Sequence, residues 1–552
     1  MNIHNPLTAP HRFIRVLCFA VLAFGLSVAP LTWAAPGGNP GFLTSQPSML
    51  TPASGNSVLP IITVGDTLPN GYRYEAIPDG IGVTAKGKGT VDVFVSHETS
   101  LVPFPFAATG IGGCTLTPAS NCFSDFDNAQ VSRLKLHQKS AGVLSGELAI
   151  TSSSNYQRFC SSFIAGAEHG FKHPIFFANE EATDFISPPP LLAWPPDPSN
   201  QRQAGLVVAL DTKNGKTYEI PGLGRMNHEN TIVVPGGWNE IVAVTSDDTF
   251  AAPSSQLYMY TAASGDDFLA DNGSLWALRV TGKNGNAVNP IDAFNGANDY
   301  GDMAVSDVLT GEFISVPRAI ALGDQTPLEA WSNTNNVFQF IRVEDIAYDK
   351  NDPRIVYFAD TGEPRAIPNV ATGRLQRGSS STTGPYPNGR IFKMVLNAAD
   401  PKVVDSFTIL INADLDGYNN ANAMHNPDNI DTSANGSLMI TEDPGSHNGT
   451  RAAFPNATTA RLWRHDIASG ALSVVAEVDQ SLVPASPKGA WESSGVLDVS
   501  NIFGPGTWLV NIQAHTLFVE TETRTVTIGA ASGPVLFKRE GGQLLLLTVP
   551  GS

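Results

Sequence analysis

Four stretches of the sequence share one order of residue types, and this repeat limits the folds that the chain can adopt. In each, polar or acidic residues precede a β-rich run, a turn of Gly, Asn or Asp, and a second β-rich run, and further acids or amides follow. Branched and aromatic residues favour strands and Gly or Asn favours tight turns, so each stretch predicts a β-hairpin with polar ends. The stretches are HENTIVVPGGWNEIVAVTSDD from His228, EDIAYDKNDPRIVYFADTGE from Glu344, DNIDTSANGSLMITEDPG from Asp428 and SSGVLDVSNIFGPGTWLVNIQAH from Ser493.

Further strand-like runs accompany these hairpins and extend them into small sheets. SQLYMYTA, GRIFKMVLN and ARLWRHDIASGALSVVAEV follow the first three hairpins, and TVDVFVSHETS and GLVVALDTKNGKTYEI have the same character earlier in the chain. Sheets of about four strands that recur along a chain predict an all-β fold, a β-propeller whose blades surround an axis. A pair of β-sandwiches is the alternative. The uneven spacing predicts long insertions near residues 186–200 and 281–335.

The first 35 residues have the features of a secretory signal peptide. His11, Arg12 and Arg15 precede an apolar stretch over residues 16–29, and Ala34 and Ala35 offer a cleavage point. The apolar stretch is shorter than the roughly 20 residues that a membrane span needs, and no later stretch is long and apolar enough to span. We therefore expect a periplasmic or extracellular protein in which residues 36–552 form one large propeller domain. A retained N-terminal anchor helix is the alternative.

The charge balance favours cations as partners over nucleic acid. The 552 residues include 51 Asp and Glu against 33 Lys and Arg, a net charge of −18, and such a surface repels phosphate backbones. In a propeller the inner strands begin around one channel mouth, so acids from several blades can supply the roughly six to eight oxygen ligands of calcium. Asp349 and Asp352 are expected to cap turns instead. The acids that recur at equivalent places of the repeat are Glu229, Glu344, Asp428 and Glu442.

Three cysteines remain outside the leader, namely Cys114, Cys122 and Cys160. The first two lie in a loop-like segment and are close enough in sequence to form a small disulfide in an oxidising compartment. That pairing leaves Cys160 alone. A lone thiol in an exported protein is either a buried apolar residue or a metal ligand, since a metal stabilises the thiolate.

Four motifs in this order resemble the secreted PhoX-type alkaline phosphatases and their wider relatives. They are GLGRMNHENTIVV, RVEDIAYD, NPDNIDTSANGSLMITED and GAWESSGVLDVSNIFGPGTWLVNIQAHT. The resemblance extends from about residue 160 to residue 515. It implies a propeller that holds a cluster of iron and calcium ions and hydrolyses small-molecule phosphate monoesters.

The resemblance also implies roles for individual residues. Arg342 resembles the family's phosphate-binding arginine, and Glu344 resembles a metal ligand of the catalytic site. An ordinary ion pair between Arg342 and Asp345 is the alternative. Cys160 matches a cysteine that ligates iron. The other metal ligands that the resemblance implies are Glu180, Glu181, Glu229, Asp428, Asn429, Glu442 and Asp443.

Two features depart from the family pattern. The leader has single arginines where members of the family usually carry a twin-arginine signal, and the segment around Cys160 lacks an Asn-Cys-x-Gly-Gly pattern. The sequence therefore predicts calcium with or without iron. Two alternatives stay open: another calcium-dependent propeller hydrolase, such as a lactonase or phosphodiesterase, and a non-catalytic calcium-binding propeller. The chain contains no G-x-S-x-G elbow and no P-loop, so serine-hydrolase and P-loop nucleotide-binding functions lack support.

Overall fold

Six antiparallel sheets of four strands each follow one another along the part of the chain that the computed structural model describes. We number these sheets as blades 1 to 6 and the strands and helices in chain order. The predicted leader and Cys114 lie outside the described residues. The structure describes residues 40–103, 122–189, 194–249, 255–287, 299–371, 374–379, 384–417, 419–444, 457–528 and 531–552.

In blades 1 to 5 the strands follow one another from the axis outward. The chain first forms β1 (Leu50–Pro52) and β2 (Ser57–Thr63), which join the last two blades. Blade 1 contains β3 (Pro78–Gly87), β4 (Thr90–His97), β6 (Gln130–His137) and β7 (Val143–Ile150), with β5 (Phe123–Asp125) between them in sequence. Blade 2 contains β8 (Phe159–Ala165), β9 (Ile175–Glu180), β12 (Val207–Asp211) and β13 (Thr217–Glu219).

The remaining blades repeat this order. Blade 3 contains β14 (His228–Val233), β15 (Ile241–Asp247), β16 (Leu257–Ala262) and β17 (Ser274–Lys283). Blade 4 contains β20 (Val343–Tyr348), β21 (Ile355–Asp360), β24 (Arg390–Leu396) and β25 (Val403–Asn412). Blade 5 contains β26 (Pro427–Thr432), β27 (Ser437–Glu442), β28 (Arg461–Asp466) and β29 (Leu472–Val478). Blade 6 contains β30 (Glu492–Asp498), β31 (Thr507–Ile528), β32 (Ala531–Thr548) and β2.

The inner strands of the six blades contact one another in a closed ring, in the order β3, β8, β14, β20, β26, β30 and back to β3. Radial four-stranded sheets around a closed ring form a β-propeller. The predicted propeller is therefore confirmed, and the alternative of a sandwich pair is wrong. Blade 6 closes the ring because β2, near the beginning of the chain, pairs with β32 near its end. Strand β1 adds a fifth strand to the outer edge of blade 5.

A separate hydrophobic core fills each space between neighbouring blades, which explains the apolar runs of the second strands. Val356 and Phe358 of β21 pack against blade 3, whereas Tyr357 and Ala359 face blade 5. Successive side chains of a strand point to opposite faces, so a strand that is covered on both faces is apolar throughout. Outer strands alternate instead, and β25 has exposed and buried residues in turn. The ring is thus held by burial at every interface between blades.

The remaining elements extend from the blades. Strand β19 (Leu309–Ser315) pairs with both β17 and β25 and joins blades 3 and 4 into one sheet. The short strand pairs are β10 (Phe185–Ile186) with β11 (Arg202–Gln203), β18 (Asn286–Ala287) with β17, and β22 (Ala366–Pro368) with β23 (Leu375–Arg377). The helices are α1 (Gly265–Leu269), α2 (Asp299–Asp302), α3 (Arg318–Ala321), α4 (Gln325–Thr334) and α5 (Ser500–Phe503). None of the described helices has the length and apolar composition that crossing a membrane requires.

Candidate metal centre

Every inner strand contains a break in its pairing close to its beginning. In blades 1 to 5 the regular register is interrupted directly after the first residue, and in blade 6 it is interrupted after the third. Such bulges bend a strand and re-aim its side chains. The second residues of the six inner strands are Asp79, Cys160, Glu229, Glu344, Asp428 and Ser493.

The second strands of the blades reach the same end of the channel from the opposite direction. In blades 1 to 5 the last residue of the second strand pairs with the first residue of the inner strand, and the following residue lies directly beyond the sheet. These following residues are Glu98, Glu181, Asp248, Thr361 and Asp443. Both sets of positions therefore place acids at one end of the propeller.

Seven of these side chains form three overlapping groups in which the ligand atoms lie within 4.8 Å of one another. One group joins Cys160 to two acids of blade 1, the second joins it to two acids of blades 2 and 3, and the third contains acids of blades 3, 4 and 5. We call these seven residues the central cluster. The groups are Asp79, Glu98 and Cys160; Cys160, Glu181 and Glu229; and Glu229, Glu344 and Asp428.

Burial and mutual repulsion raise the pKa values throughout the central cluster. Burial raises the pKa of Asp79 to about 6, and burial together with the neighbouring Asp79 carboxylate raises that of Glu98 to about 7. The pKa of Glu229 lies well above its usual range because the side chain is buried and Asp79 is close. The pKa of the Cys160 thiol is raised by burial and by Asp79 as well. Without cations, this arrangement resists full ionisation.

The donor set of the central cluster matches multivalent cations. Glu229, Glu344 and Asp428 supply only carboxylate oxygens, which suit hard ions such as calcium. Cys160 belongs to the other two groups and supplies a sulfur, which suits a transition metal such as iron. Cations placed among these acids would reverse the repulsion that raises their pKa values. The residues present therefore fit a site for several metal ions.

Arg342 lies at the edge of the central cluster and makes ion pairs with two acids. Its Nε donates to Oδ1 of Asp248 at 2.8 Å and its Nη2 donates to Oδ2 of the same carboxylate, while Nη2 lies 3.2 Å from Oε1 of Glu344. Asp345, the alternative partner, accepts from the Ile430 amide at 2.9 Å and from the side chain of Asn230. Arg342 thus brings one fixed positive charge to the rim of an acidic site.

Glu180 and Glu442, which the resemblance implies as ligands, do not belong to these groups. Glu180 accepts from the backbone amides of Gln157 and Leu206 at 2.8 and 3.0 Å and pairs with Arg202 at 3.1 Å. Glu442 accepts from the His425 amide at 2.7 Å and pairs with a buried arginine of blade 5. Both carboxylates are already satisfied by backbone amides and an arginine, so we leave them out of the proposed ligand set.

Asn429 and Asp443 lie beside the central cluster without belonging to its groups. The Asn429 amide donates to Ser161 Oγ at 2.5 Å and lies 3.4 Å from Asp79 Oδ1. Ser161 Oγ in turn donates to Glu229 Oε1 at 2.5 Å. Burial and several neighbouring acids raise the pKa of Asp428, and Asp443 is one of these acids. Asn429 therefore orients cluster residues through Ser161, and Asp443 adds negative charge at the blade 5 side.

A cavity of about 410 Å³ lies further along the channel, next to a polar layer formed by the third residues of the inner strands. Ser161, Asn230, Asp345 and Asn429 line it together with Tyr348 and other residues of the inner strands, and no member of the central cluster does. The polar layer separates this cavity from the acids. The central cluster therefore lies nearer than this cavity to the end of the channel where the inner strands begin.

Sequence reasoning missed Asp79, Glu98, Glu492 and Asp248. Burial and the neighbouring Asp443 raise the pKa of Glu492 well above its usual range. His515 lies between Glu492 and Glu540, and its Nδ1 is 2.7 Å from Glu540 Oε2.

The sequence did contain a signal for Asp79 and Glu98 of blade 1, because PDGIGVTAKGKGTVDVFVSHET repeats the pattern of the later hairpins with Asp79 in second place. This first hairpin was not recognised because its turn signal is weak and its first strand is rich in glycine.

The cysteines differ in state. Cys122 is disulfide-bonded, and among the described residues Cys160 is the free cysteine. Its side chain is buried within the central cluster rather than within an apolar core.

Comparison with known proteins identifies a family and a shared fold. Residues 192–481 match the family model of alkaline phosphatase PhoX. The solved structure of Pseudomonas fluorescens PhoX in complex with vanadate, a transition state analogue, is 14% identical, covers 93% of this chain and 98% of its own, and has a TM-score of 0.58. Penicillium chrysogenum α-L-arabinanase complexed with arabinobiose is 10% identical over 88% and 98% of the two chains, with a TM-score of 0.37. No curated protein matches the sequence significantly.

Proposed function

The chain belongs to the alkaline phosphatase PhoX family, and on this premise we propose that the central cluster holds the metal ions with which it hydrolyses phosphate monoesters. The observation that carries the proposal is that six carboxylates and one thiol from five blades converge in the central cluster. In each of its three groups the ligand atoms lie within 4.8 Å of one another. So many acids at the mouth of a channel repel a phosphate dianion unless cations offset their charge.

We assign the metals by donor chemistry. The group of Glu229, Glu344 and Asp428 is proposed as a calcium site, since all three donors are carboxylates. Cys160 is shared by the two remaining groups and is proposed as a ligand of iron, because a thiolate favours a transition metal. Bound cations would neutralise charge on the phosphoryl oxygens and activate the attacking water.

The side chains of the protein have their own part in this reaction. Arg342 presents a planar guanidinium beside Glu344, and such a group binds phosphoryl oxygens through paired N–H donors. The carboxylates of the central cluster fix the place of reaction because their inner strands are packed in a closed ring. Catalysis then depends on positioning and on charge neutralisation rather than on a protein nucleophile. We also propose that the protein acts after export through its N-terminal leader.

The direct test is hydrolysis of p-nitrophenyl phosphate by the purified protein before and after chelation, and again after addition of calcium and iron. We expect turnover that the chelator removes and the metals restore. Vanadate, which is bound in Pseudomonas fluorescens PhoX, is expected to inhibit. Bis(p-nitrophenyl) phosphate and a lactone serve as comparison substrates. Faster turnover of either would assign the site to a diesterase or a lactonase, and no turnover of any substrate with bound calcium would indicate a binding propeller.

A further inference from the structure

Asp248 is the acid at the end of β15 whose role differs from that of its counterparts in other blades. Glu98 and Glu181 occupy the same position in blades 1 and 2, and both belong to the central cluster. The Asp248 carboxylate is fully buried and is outside the three groups of candidate ligands among the described residues. It binds the guanidinium of Arg342 from blade 4 instead.

The geometry of this pair fixes the orientation of Arg342. Both oxygens of Asp248 take part, one on Nε at 2.8 Å and the other on Nη2. A carboxylate that binds two nitrogens on one edge of a guanidinium holds the whole plane, whereas a single contact leaves it free to rotate. The Arg342 side chain is itself 9% exposed, so few solvent contacts compete with the pair.

We infer that Asp248 is a positioning residue for phosphate hydrolysis, which holds the guanidinium of Arg342 in the plane that the transferring phosphoryl group requires. The inference rests on the proposed function of Arg342. Asp248 itself binds no substrate in this account. It acts through Arg342, and it also offsets part of the positive charge that Arg342 brings to the site. Its carboxylate also hydrogen-bonds Glu181 of the central cluster, so the test measures bound metal alongside the kinetic constants.

These two effects of Asp248 have opposite consequences for binding and for turnover. Replacement by Asn keeps the size of the side chain but removes one negative charge beside Arg342. The stronger net positive charge favours the bound phosphate dianion, so KM and the inhibition constant of inorganic phosphate should fall or stay unchanged. The guanidinium loses its fixed plane, and a misplaced group near a reacting centre lowers kcat by roughly ten- to a hundredfold.

The experiment compares Asp248→Asn with Asp247→Asn in the metal-loaded, full-length protein. Asp247 is the preceding residue of the same strand, is also buried, and accepts from the Thr249 hydroxyl at 2.6 Å, so its replacement tests the general effect of removing a buried acid here. Kinetic constants for p-nitrophenyl phosphate, inhibition by inorganic phosphate, bound metal and melting temperature are measured for each. We expect lower kcat without higher KM in Asp248→Asn alone, with bound metal unchanged.

A double-mutant cycle tests whether Asp248 acts through Arg342. In an Arg342→Gln background, Asp248→Asn should change kcat by less than roughly twofold, because the group that it orients is gone. Three outcomes would overturn the inference. They are an equal loss of kcat from Asp248→Asn in both backgrounds, a rise in KM at constant kcat, and a loss of bound metal in Asp248→Asn. If the wild-type protein hydrolyses no phosphate monoester, the proposed function itself fails. If the wild type is active and Asp248→Asn keeps its kcat, only the role of Asp248 fails.

Discussion

Two sets of buried acids lie one residue apart at the same end of the propeller, and they behave differently. Glu180 and Glu442, at the ends of β9 and β27, accept backbone N–H groups and each pair with an arginine. We call these two residues the capping acids. Glu181, which follows Glu180, belongs to the central cluster, and burial together with neighbouring carboxylates raises its pKa. The capping acids each pair with an arginine, whereas we propose that cations balance the mutually repelling acids of the central cluster.

The difference arises from the geometry of a strand end. Successive side chains point in opposite directions, so in a Glu-Glu or Glu-Asp pair only one carboxylate can face the axis. The other turns into its own blade, where the chain enters the inner strand and leaves backbone amides that need acceptors. One pair of acids therefore supplies a structural contact and a candidate ligand, and substitutions can separate the two roles.

The largest expected effect comes from Glu229→Gln compared with Glu180→Gln. Glu229 belongs to two of the three groups in the central cluster, so its loss should disturb two metal positions and lower kcat/KM on the order of a thousandfold. Glu180→Gln should lower the melting temperature and leave the metal content of the folded fraction unchanged. Metal analysis and p-nitrophenyl phosphate kinetics on both variants provide the check. Normal metal content in Glu229→Gln would remove the distinction between the two sets.

Chelation should destabilise the protein, and the loss should depend on pH. Folding raises the pKa of Asp79 to about 6 and that of Glu98 to about 7, chiefly by burial, so between about pH 4 and pH 7 the metal-free folded state holds protons that the unfolded chain has released. The free energy of unfolding of the metal-free protein should thus rise as the pH falls from 8 toward 5. This dependence should be much weaker in the metal-loaded protein.

Thermal unfolding with and without chelator, at several pH values, tests this prediction. A metal-free protein that loses stability steadily from pH 8 to pH 5 would show that the raised pKa values of the central cluster do not dominate its pH dependence. A chelator without effect on the melting temperature at pH 8 would contradict the need for cations directly.

A smaller effect should separate Glu442→Gln from Asp443→Asn. Glu442 is fully buried and pairs with Arg461 at 3.1 Å, and removing one partner of a buried pair costs about 3–5 kcal/mol. Asp443→Asn should leave the free energy of unfolding nearly unchanged and weaken calcium binding, since Asp443 lies beside Asp428. Denaturant unfolding and calcium titration measure the two effects. The opposite assignment, with metal lost only in Glu442→Gln, would return Glu442 to the ligand set.

The smallest effect is expected for Asp352→Asn. Asp352 pairs with Arg354 at 2.9 Å, and both side chains are at least one-third exposed, so the pair contributes less than about 1 kcal/mol. Metal content and kinetic constants should match the wild type. A loss of metal here would mean that acids outside the two sets also serve the centre.

Much of this architecture is encoded in local sequence patterns. The hairpins from His228, Glu344, Asp428 and Ser493 predicted the inner and second strands of blades 3 to 6, because strand propensity and turn residues agree there. The positions of Glu229, Glu344 and Asp428 followed from their recurrence. The sequence does not predict which acid of a pair faces the axis, because this depends on the bulge in the inner strand. The Asp248 and Arg342 pair joins positions far apart in sequence, and no local pattern records it.

The most direct test of the central claim is a crystal structure of the metal-loaded protein with anomalous diffraction measured at the iron edge and at a longer wavelength for calcium. We predict an iron peak next to Cys160 and calcium among Glu229, Glu344 and Asp428, with the capping acids Glu180 and Glu442 still bound to their arginines. A central cluster without any cation in an active protein, or cations bound by the capping acids, would contradict the account.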